Sequence, residues 1–456
     1  MKLEVSIGEA IDKLSILELK KQKIADPVKL EEIQKEIDAL ADVQNYKTQL
    51  PFFYKLLSFV NDQIWIMTDR IKMMDIVSFA EDGPLAYKYA SLAHDIFEYN
   101  QKRFRIKRFF NVLLDSTIKE QKSYADSVCY VWIENEDVLF SKLSELFFLS
   151  ISYDNIQIDP IYQHILARII AIPSITFFTS ATNFSESNLN TSIHLSNFSI
   201  SKDLQNVFLL EPIRYINGGM FGDFIHSLSV INEKYYETGR KGVLFIAEGY
   251  GSDRFRYGVQ TAFQDTFDII THQPYIHSYS IYDPEKDGSY DINLNDWRGS
   301  PFLFQTNWCI VYSATYQVPW GKHQWIKVPQ LEKDPKWENK VVINTTSYRF
   351  SEHMNFKELY DIHGENLVFI TMDESNYQHF LSRTSLSEIP CHILTSFTEL
   401  CTIFASCKLF IGCPSGPLAV AFAMHIPCVI AMHSDPYEIT MMRDINQFLQ
   451  FVQKIQ

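Results

Sequence analysis

Three stretches of this chain place ionisable or anion-binding side chains where an apolar strand pattern gives way to a helical one. The first is Asn217-Gly-Gly-Met-Phe-Gly-Asp-Phe-Ile-His-Ser-Leu228. Gly218, Gly219 and Gly222 let the backbone turn sharply and come close to a ligand. The helix that follows offers free N–H groups at the positive end of its dipole. Asp223 falls at that start, where a carboxylate is placed to take a proton from a hydroxyl; the competing reading is a helix cap. His226, three residues on, belongs either to the same site or to the packing behind it. In the second stretch, Val341-Val-Ile-Asn-Thr-Thr-Ser-Tyr-Arg349, a strand runs into hydroxyl donors and a cation. Thr345, Thr346 and Ser347 suit phosphate oxygens, and Arg349 suits bidentate pairing with a diphosphate; a polar turn with a surface arginine is the plainer alternative. The third, Leu409-Phe-Ile-Gly-Cys-Pro-Ser-Gly-Pro-Leu-Ala-Val-Ala-Phe-Ala-Met424, ends a strand in small residues before an Ala-rich helix. Ser415 and Gly416 stand at the helix start, where an anion is stabilised, and Pro417 fits its first turn; close packing of the Ala-rich helix on the sheet is the alternative.

The elements around these stretches form a regular series. From residue 207 onward, short apolar runs alternate with helical patterns: 207–210, 242–247, 341–343, 367–370, 391–394, 409–411 and 428–431. Continuous apolar strands between helices indicate parallel sheets covered on both faces. A polar, Pro-punctuated stretch at 325–340 divides the series into two α/β halves, 207–330 and 331–456. In such sheets ligands sit beyond the C-terminal strand ends, so a cleft between the halves is expected. His323 and Trp325 are expected at the hinge between them, Arg254 and Arg256 at the surface or facing an acceptor, and Glu438 near a ribose.

Residues 1–125 read as helices. Ser6 and Glu9 have capping-box spacing, and Ile7, Ile11, Leu14 and Leu17 recur on one helical face. Pro27 and Pro51 open further helices, and a long one covers Tyr87 to Leu114 with a basic stretch, Lys102 to Arg108, that needs acidic partners in this chain or another. Residues 126–206 form a small α/β segment with strands at 128–132 and 174–178, then a Ser/Asn-rich linker at 180–200. Asn183, Asn190 and Asn197 there match glycosylation sequons by composition. The N-terminus lacks the features of a signal peptide, no run reaches membrane-spanning length, and the seven cysteines contain no Cys-x-x-Cys pair, so a cytoplasmic protein is expected. A net charge of −14 argues against nucleic acid as partner.

The segments SIGEAIDKLSILELKKQKIADPVKLEEIQKEIDAL and RFRIKRFFNVLLDSTIKEQKSY resemble a helical family of unassigned function found near polysaccharide genes. Met220-Phe-Gly-Asp-Phe-Ile-His-Ser-Leu228 and Phe410-Ile-Gly-Cys-Pro-Ser-Gly-Pro-Leu418 resemble motifs of the heptosyltransferase-like family, the ADP-heptose:lipopolysaccharide type. This second resemblance covers about 207–440. It implies a GT-B-like pair of Rossmann-like domains with an N-terminal all-helical module, and an inverting, metal-independent glycosyltransferase. Asp223 would be its base, and Arg349, Ser415, Gly416 and Lys322 would stabilise the leaving nucleotide. The partners implied are a nucleotide sugar, which is a substrate and not a cofactor, and a glycan or other hydroxyl acceptor. No Asp-x-Asp occurs in the chain. Pro414 stands where the family turn usually carries an acid. That departure, with the additional N-terminal residues, keeps a non-catalytic scaffold or glycan-binding protein as the alternative. A nucleotide-sugar epimerase on a similar fold would need further cleft acids or bases. The helical module is a candidate surface for a protein partner or self-association.

Overall fold

The computed structural model describes residues 4–74, 83–120, 127–177, 191–250 and 253–432. Two compact units divide the chain, residues 1–211 and 212–456.

The first unit opens with helices α1 (Ile7–Lys23), α2 (Pro27–Asp38), α3 (Gln44–Gln49), α4 (Pro51–Lys72) and α5 (Gly83–Leu113). Ser6 caps α1 by accepting from the Glu9 amide at 3.2 Å. The Glu9 carboxylate accepts from Lys107 Nζ at 2.7 Å, and among the described residues it makes no hydrogen bond back to the Ser6 amide. Ile11, Leu14, Phe53, Leu57, Val60, Ile106 and Phe110 bury the apolar faces of α1, α4 and α5. Most of the basic stretch of α5 is paired inside this unit. Arg103 pairs with the buried Asp12, Arg105 with Asp154, and Lys107 with Glu9 and Glu120.

A parallel sheet follows: β1 (Val128–Trp132), α6 (Glu136–Ser141), α7 (Leu143–Ser152), β2 (Asn155–Ile158), α8 (Gln163–Ile169), β3 (Ile175–Phe177), β4 (Ser192–His194) and α9 (Lys202–Val207), with strands ordered β3-β2-β1-β4. Two expectations need correction here. The chain does not change unit at residue 125, because α7 packs against α5 and Phe147 meets Phe52 at 5.1 Å, giving helices and sheet one apolar interior. Residues 207–210 are not a strand: Ser201 caps α9, which runs to Val207, and the first strand of the second unit begins at Ile213. Part of the expected linker is ordered as β4; Asn183 and Asn190 lie outside the described residues, as does Glu438.

The second unit carries two parallel sheets. The first half runs β5 (Ile213–Asn217), α10 (Phe221–Thr238), β6 (Gly242–Ile246), the antiparallel pair β7 (Gly249–Tyr250) and β8 (Asp253–Arg254), α11 (Val259–Thr271), β9 (Ile276–Ile281), β10 (Ile292–Asn293) and α12 (Trp308–Tyr316). Its sheet order is β10-β5-β6-β9. The second half runs β11 (Val341–Asn344), α13 (Phe356–His363), β12 (Leu367–Thr371), α14 (Glu374–Arg383), β13 (Cys391–Ile393), α15 (Phe397–Ser406), β14 (Leu409–Gly412), α16 (Gly416–Ala423) and β15 (Cys428–Ile430). Its order is β13-β12-β11-β14-β15. Every residue of β11 and β12 is buried, as strands covered on both faces require. In both sheets the strand order reverses beside the first strand, between β5 and β10 and between β11 and β14. Such reversals open crevices at the C-terminal strand ends. The unit is a GT-B-like pair of Rossmann-like domains, C-terminal to a helical region.

Residues 318–326 tie the halves together across α10 and α16. Trp320 Nε1 donates to the His226 carbonyl and Trp325 Nε1 to the Ile225 carbonyl, both at 2.8 Å. Glu233, only 2% exposed, accepts from the His323 backbone amide at 2.8 Å and lies 2.7 Å from its ring nitrogen. The Trp325 and Ile326 amides both donate to the Ala423 carbonyl at the end of α16. The expected hinge segment is therefore seated on a helix from each half.

Candidate active site

Helices α10 and α16 pack directly against each other, and both begin in the cleft between the halves. Gly416 permits the approach: a Cβ there would stand 3.0 Å from the Phe221 ring, whereas one on Gly222 would meet Gly416 at 3.7 Å, an ordinary contact. Neither helix has a side-chain cap: Met220 and Ser415 occupy the cap positions without donating or accepting there. The Ser415 hydroxyl turns back to the Cys413 carbonyl at 3.1 Å. Two helix starts thus present amides and positive dipole ends to one space.

That space is a cavity of about 490 Å³ whose wall includes Asp223, His226, Asp253, Arg254, Arg349 and Ser415. A second cavity, of about 580 Å³, shares Phe221, Arg256, Tyr348, Ser415 and Gly416 with it. It extends beyond the ends of β11, β12 and β13, past Asn344, Thr371 and Leu394, with Phe397 and Leu400 as apolar lining. Asp223 does not cap α10 through a backbone hydrogen bond among the described residues. Its Oδ2 accepts from Arg298 Nη2 at 2.8 Å, while Arg298 Nε donates to Asp253 at 2.7 Å. Burial pushes the Asp223 carboxyl up to about 6; Arg298 pulls it down, Asp253 pushes it up, and Arg349 pulls it down. Arg349 donates to the Pro414 carbonyl at 2.5 Å, which fixes its head beside the start of α16.

Residues 1–132 match a family of unknown function, DUF6165. No curated protein sequence matches the chain. Among solved structures, the chain is similar to the dodecameric iron-containing heptosyltransferase TibC in complex with ADP-D-beta-D-heptose, at 15% identity and a TM-score of 0.37, covering 52% of this chain and 62% of that one. A structure of TibC from enterotoxigenic E. coli H10407 matches at 16% identity and a TM-score of 0.34, with 49% of this chain and 58% of that one covered. A glycosyl transferase family 9 structure from Veillonella parvula matches at 13% identity and a TM-score of 0.35, over 54% and 91% of the two chains. The chain thus spans less than two thirds of the TibC chains it matches.

Of the residues singled out in the sequence, Asp223, Gly222, His226, Arg349, Ser415 and Gly416 line the smaller cavity, and Thr346, Ser415, Gly416 and Pro417 line the larger. His226 is 8% exposed and sits among Trp308, Trp320 and Phe422, so it is mostly packing. Thr345 is fully buried, Ser347 is exposed on the turn after β11, and Lys322 is exposed; none of these three lines either cavity. Thr345 faces inward because it continues the buried β11 run, and Lys322 is carried away by the turn seated on α10. Gly218 and Gly219 are buried and line neither cavity; a Cβ on Gly218 would stand 3.1 Å from the Gly249 backbone, and one on Gly219 would stand 2.7 Å from Arg298 Nη2.

Three residues escaped the sequence reading. Arg298 holds Asp223 and is itself held by Asp253, and Asn295 ties the glycine loop to Arg298, with its Oδ1 accepting from Gly218 N at 3.3 Å and from Arg298 Nη1 at 3.2 Å. Asn293-Leu-Asn-Asp-Trp-Arg298 has no glycine signature and follows a two-residue edge strand, so no local pattern marked it. Among the described residues, no group of three or more His, Cys, Asp or Glu side chains is placed to hold a metal ion. No helix of the described residues is long and apolar enough to cross a membrane.

Proposed function

We propose that residues 212–456 bind a nucleotide sugar and transfer its sugar to a hydroxyl acceptor by a single, inverting displacement. The supporting observation is that the Asp223 carboxyl, the Arg349 guanidinium and the uncapped start of α16 line one cavity. In this reading the nucleoside occupies the larger cavity and its phosphates lie at Ser415, Gly416 and Arg349. The sugar extends toward Asp223. The acceptor hydroxyl loses its proton to Asp223 as its oxygen bonds to the anomeric carbon from the opposite face. The bond from that carbon to the phosphate oxygen breaks, and the nucleotide leaves with the electron pair. Arg349 and the α16 amides meet the charge that develops on the leaving oxygen, the place where fixed donors accelerate most. With an Asp223 value of about 6, about nine tenths of these carboxyls are ionised at pH 7 and ready to accept a proton. The cavity wall carries three arginines, Arg254, Arg256 and Arg349, against two carboxylates, Asp223 and Asp253, a small positive excess in a chain of net charge −14 that suits an anionic donor. Neither a cofactor nor a metal ion enters this scheme.

The test is nucleotide release from ADP-, GDP-, UDP- and CMP-sugars without added metal, for wild type and Asp223→Ala. One donor should be turned over by wild type, and the substitution should slow release by about 100-fold or more. Failure of the wild-type protein to bind any donor of the panel, read by calorimetry, would sink the transferase reading and leave the scaffold.

A further inference from the structure

Resting on the assignment of Asp223 as base, we infer that Arg298 is the positioning residue for its carboxylate, itself held in place by Asp253. The arrangement is specific. Arg298 Nη2 holds Asp223 Oδ2 at 2.8 Å, Nε holds Asp253 Oδ2 at 2.7 Å, and Nη1 reaches Asn295 Oδ1 at 3.2 Å. The guanidinium lies 4.3 Å from the centre of the Trp297 ring, and only 11% of the Arg298 side chain is exposed. Gly219 leaves the room it needs: a Cβ there would stand 2.7 Å from Nη2. Fixing Oδ2 in this way fixes the plane of the whole carboxylate that lines the cavity. A planar fork does this where a lysine cannot, because it binds two carboxylates in fixed directions at once.

The charged and titratable groups around Asp223 come from four elements besides its own. Arg298 stands on the turn at 296–299, Asp253 on β8, Arg349 after β11 and Tyr312 on α12, while His226 lies one turn along α10. Their signs fix two opposite outcomes. Arg298→Gln removes a positive neighbour, so Asp223 should hold its proton to higher pH, by about 1 pH unit or more. Asp253→Asn removes a negative neighbour, so Asp223 should release its proton at lower pH. Arg298→Lys keeps the charge and loses the fork; it should lower kcat by at least about tenfold with KM little changed, because orientation and not binding is lost.

The titration is read directly from the carboxyl ¹³C resonance of Asp223, assigned by its loss in Asp223→Asn, in the full-length chain. Thermal melting confirms that each variant is folded. Opposite displacements in Arg298→Gln and Asp253→Asn support the inference; displacements in one direction, or none, overturn it. Nucleotide release against pH is measured on the same proteins. If the resonance moves as stated and the acid limb of turnover does not follow, Arg298 still controls the Asp223 carboxyl, and it is the base assignment that fails.

Discussion

Asp223 combines two demands that oppose each other, and the opposition is measurable without substrate. A carboxyl at a helix start is ordinarily stabilised as the anion. Here burial outweighs that, and the group is pushed up to about 6. The folded state therefore holds a proton that the unfolded chain, with an ordinary value near 3.9, has already released between about pH 4 and 6. Stability contributed at this site is present below that range and is lost as pH rises through it. Asp223→Asn removes the titration. The stability difference, mutant minus wild type, should thus grow from pH 4 to pH 7. The full pKa difference would correspond to about 3 kcal/mol, and because 22% of the side chain is exposed, about 1–2 kcal/mol is expected. Urea unfolding of both proteins across this range checks it. A difference that stays flat, or shrinks, would mean the carboxyl is not raised.

At the scale of elements, the loop between β5 and α10 shows why similar residues in one run have different roles. Gly219 has φ +141°, outside the range of most L-residues, and its missing side chain makes space for Arg298. Gly222 is helical, and a Cβ there would meet Gly416 only at ordinary contact distance. Gly219→Ala should therefore cost about 2 kcal/mol or more of unfolding free energy, and Gly222→Ala less than about 1 kcal/mol in either direction. Chemical denaturation of the two variants separates them, and equal costs would contradict this account. The same loop shows what the sequence could convey. The buried central strands β6, β11, β12 and β14 were legible as unbroken apolar runs, and so were the helix starts that follow β5 and β14. The two edge strands of the first sheet were not: β9 reads Ile-His-Ser-Tyr-Ser-Ile, half polar because one neighbour is missing, and β10 is two residues long. Val207 to Leu210 carried the apolar signal of a strand, yet the Ser201 cap commits Lys202–Val207 to a helix first. The site was legible where a residue sat on a strand-to-helix turn, as Asp223 and Ser415 do. It was hidden where contact crosses 75 residues, as between Asp223 and Arg298.

For the whole molecule, the division at residue 211 gives ligand binding a spatial signature. Residues 4–211 have an apolar interior of their own, built from α1, α4, α5 and α7, and Arg103, Arg105 and Lys107 of their basic stretch are already paired internally. Both cavities that carry the proposed chemistry belong to 212–456. A ligand that binds only the folded form of one unit stabilises that unit by RT ln(1 + [L]/Kd), about 2.7 kcal/mol at a hundredfold excess over Kd. Hydrogen exchange on the full chain, with and without the nucleotide released from the preferred donor, should therefore show slowed amides in β11, β14 and α16. Amides of α4 and α5 should exchange at unchanged rates. Slowing confined to α1–α5 would place the nucleotide on the helical region and remove it from the cleft. Equal slowing in both units would mean that they open as one cooperative body, so that a ligand in the cleft protects a core to which it makes no contact.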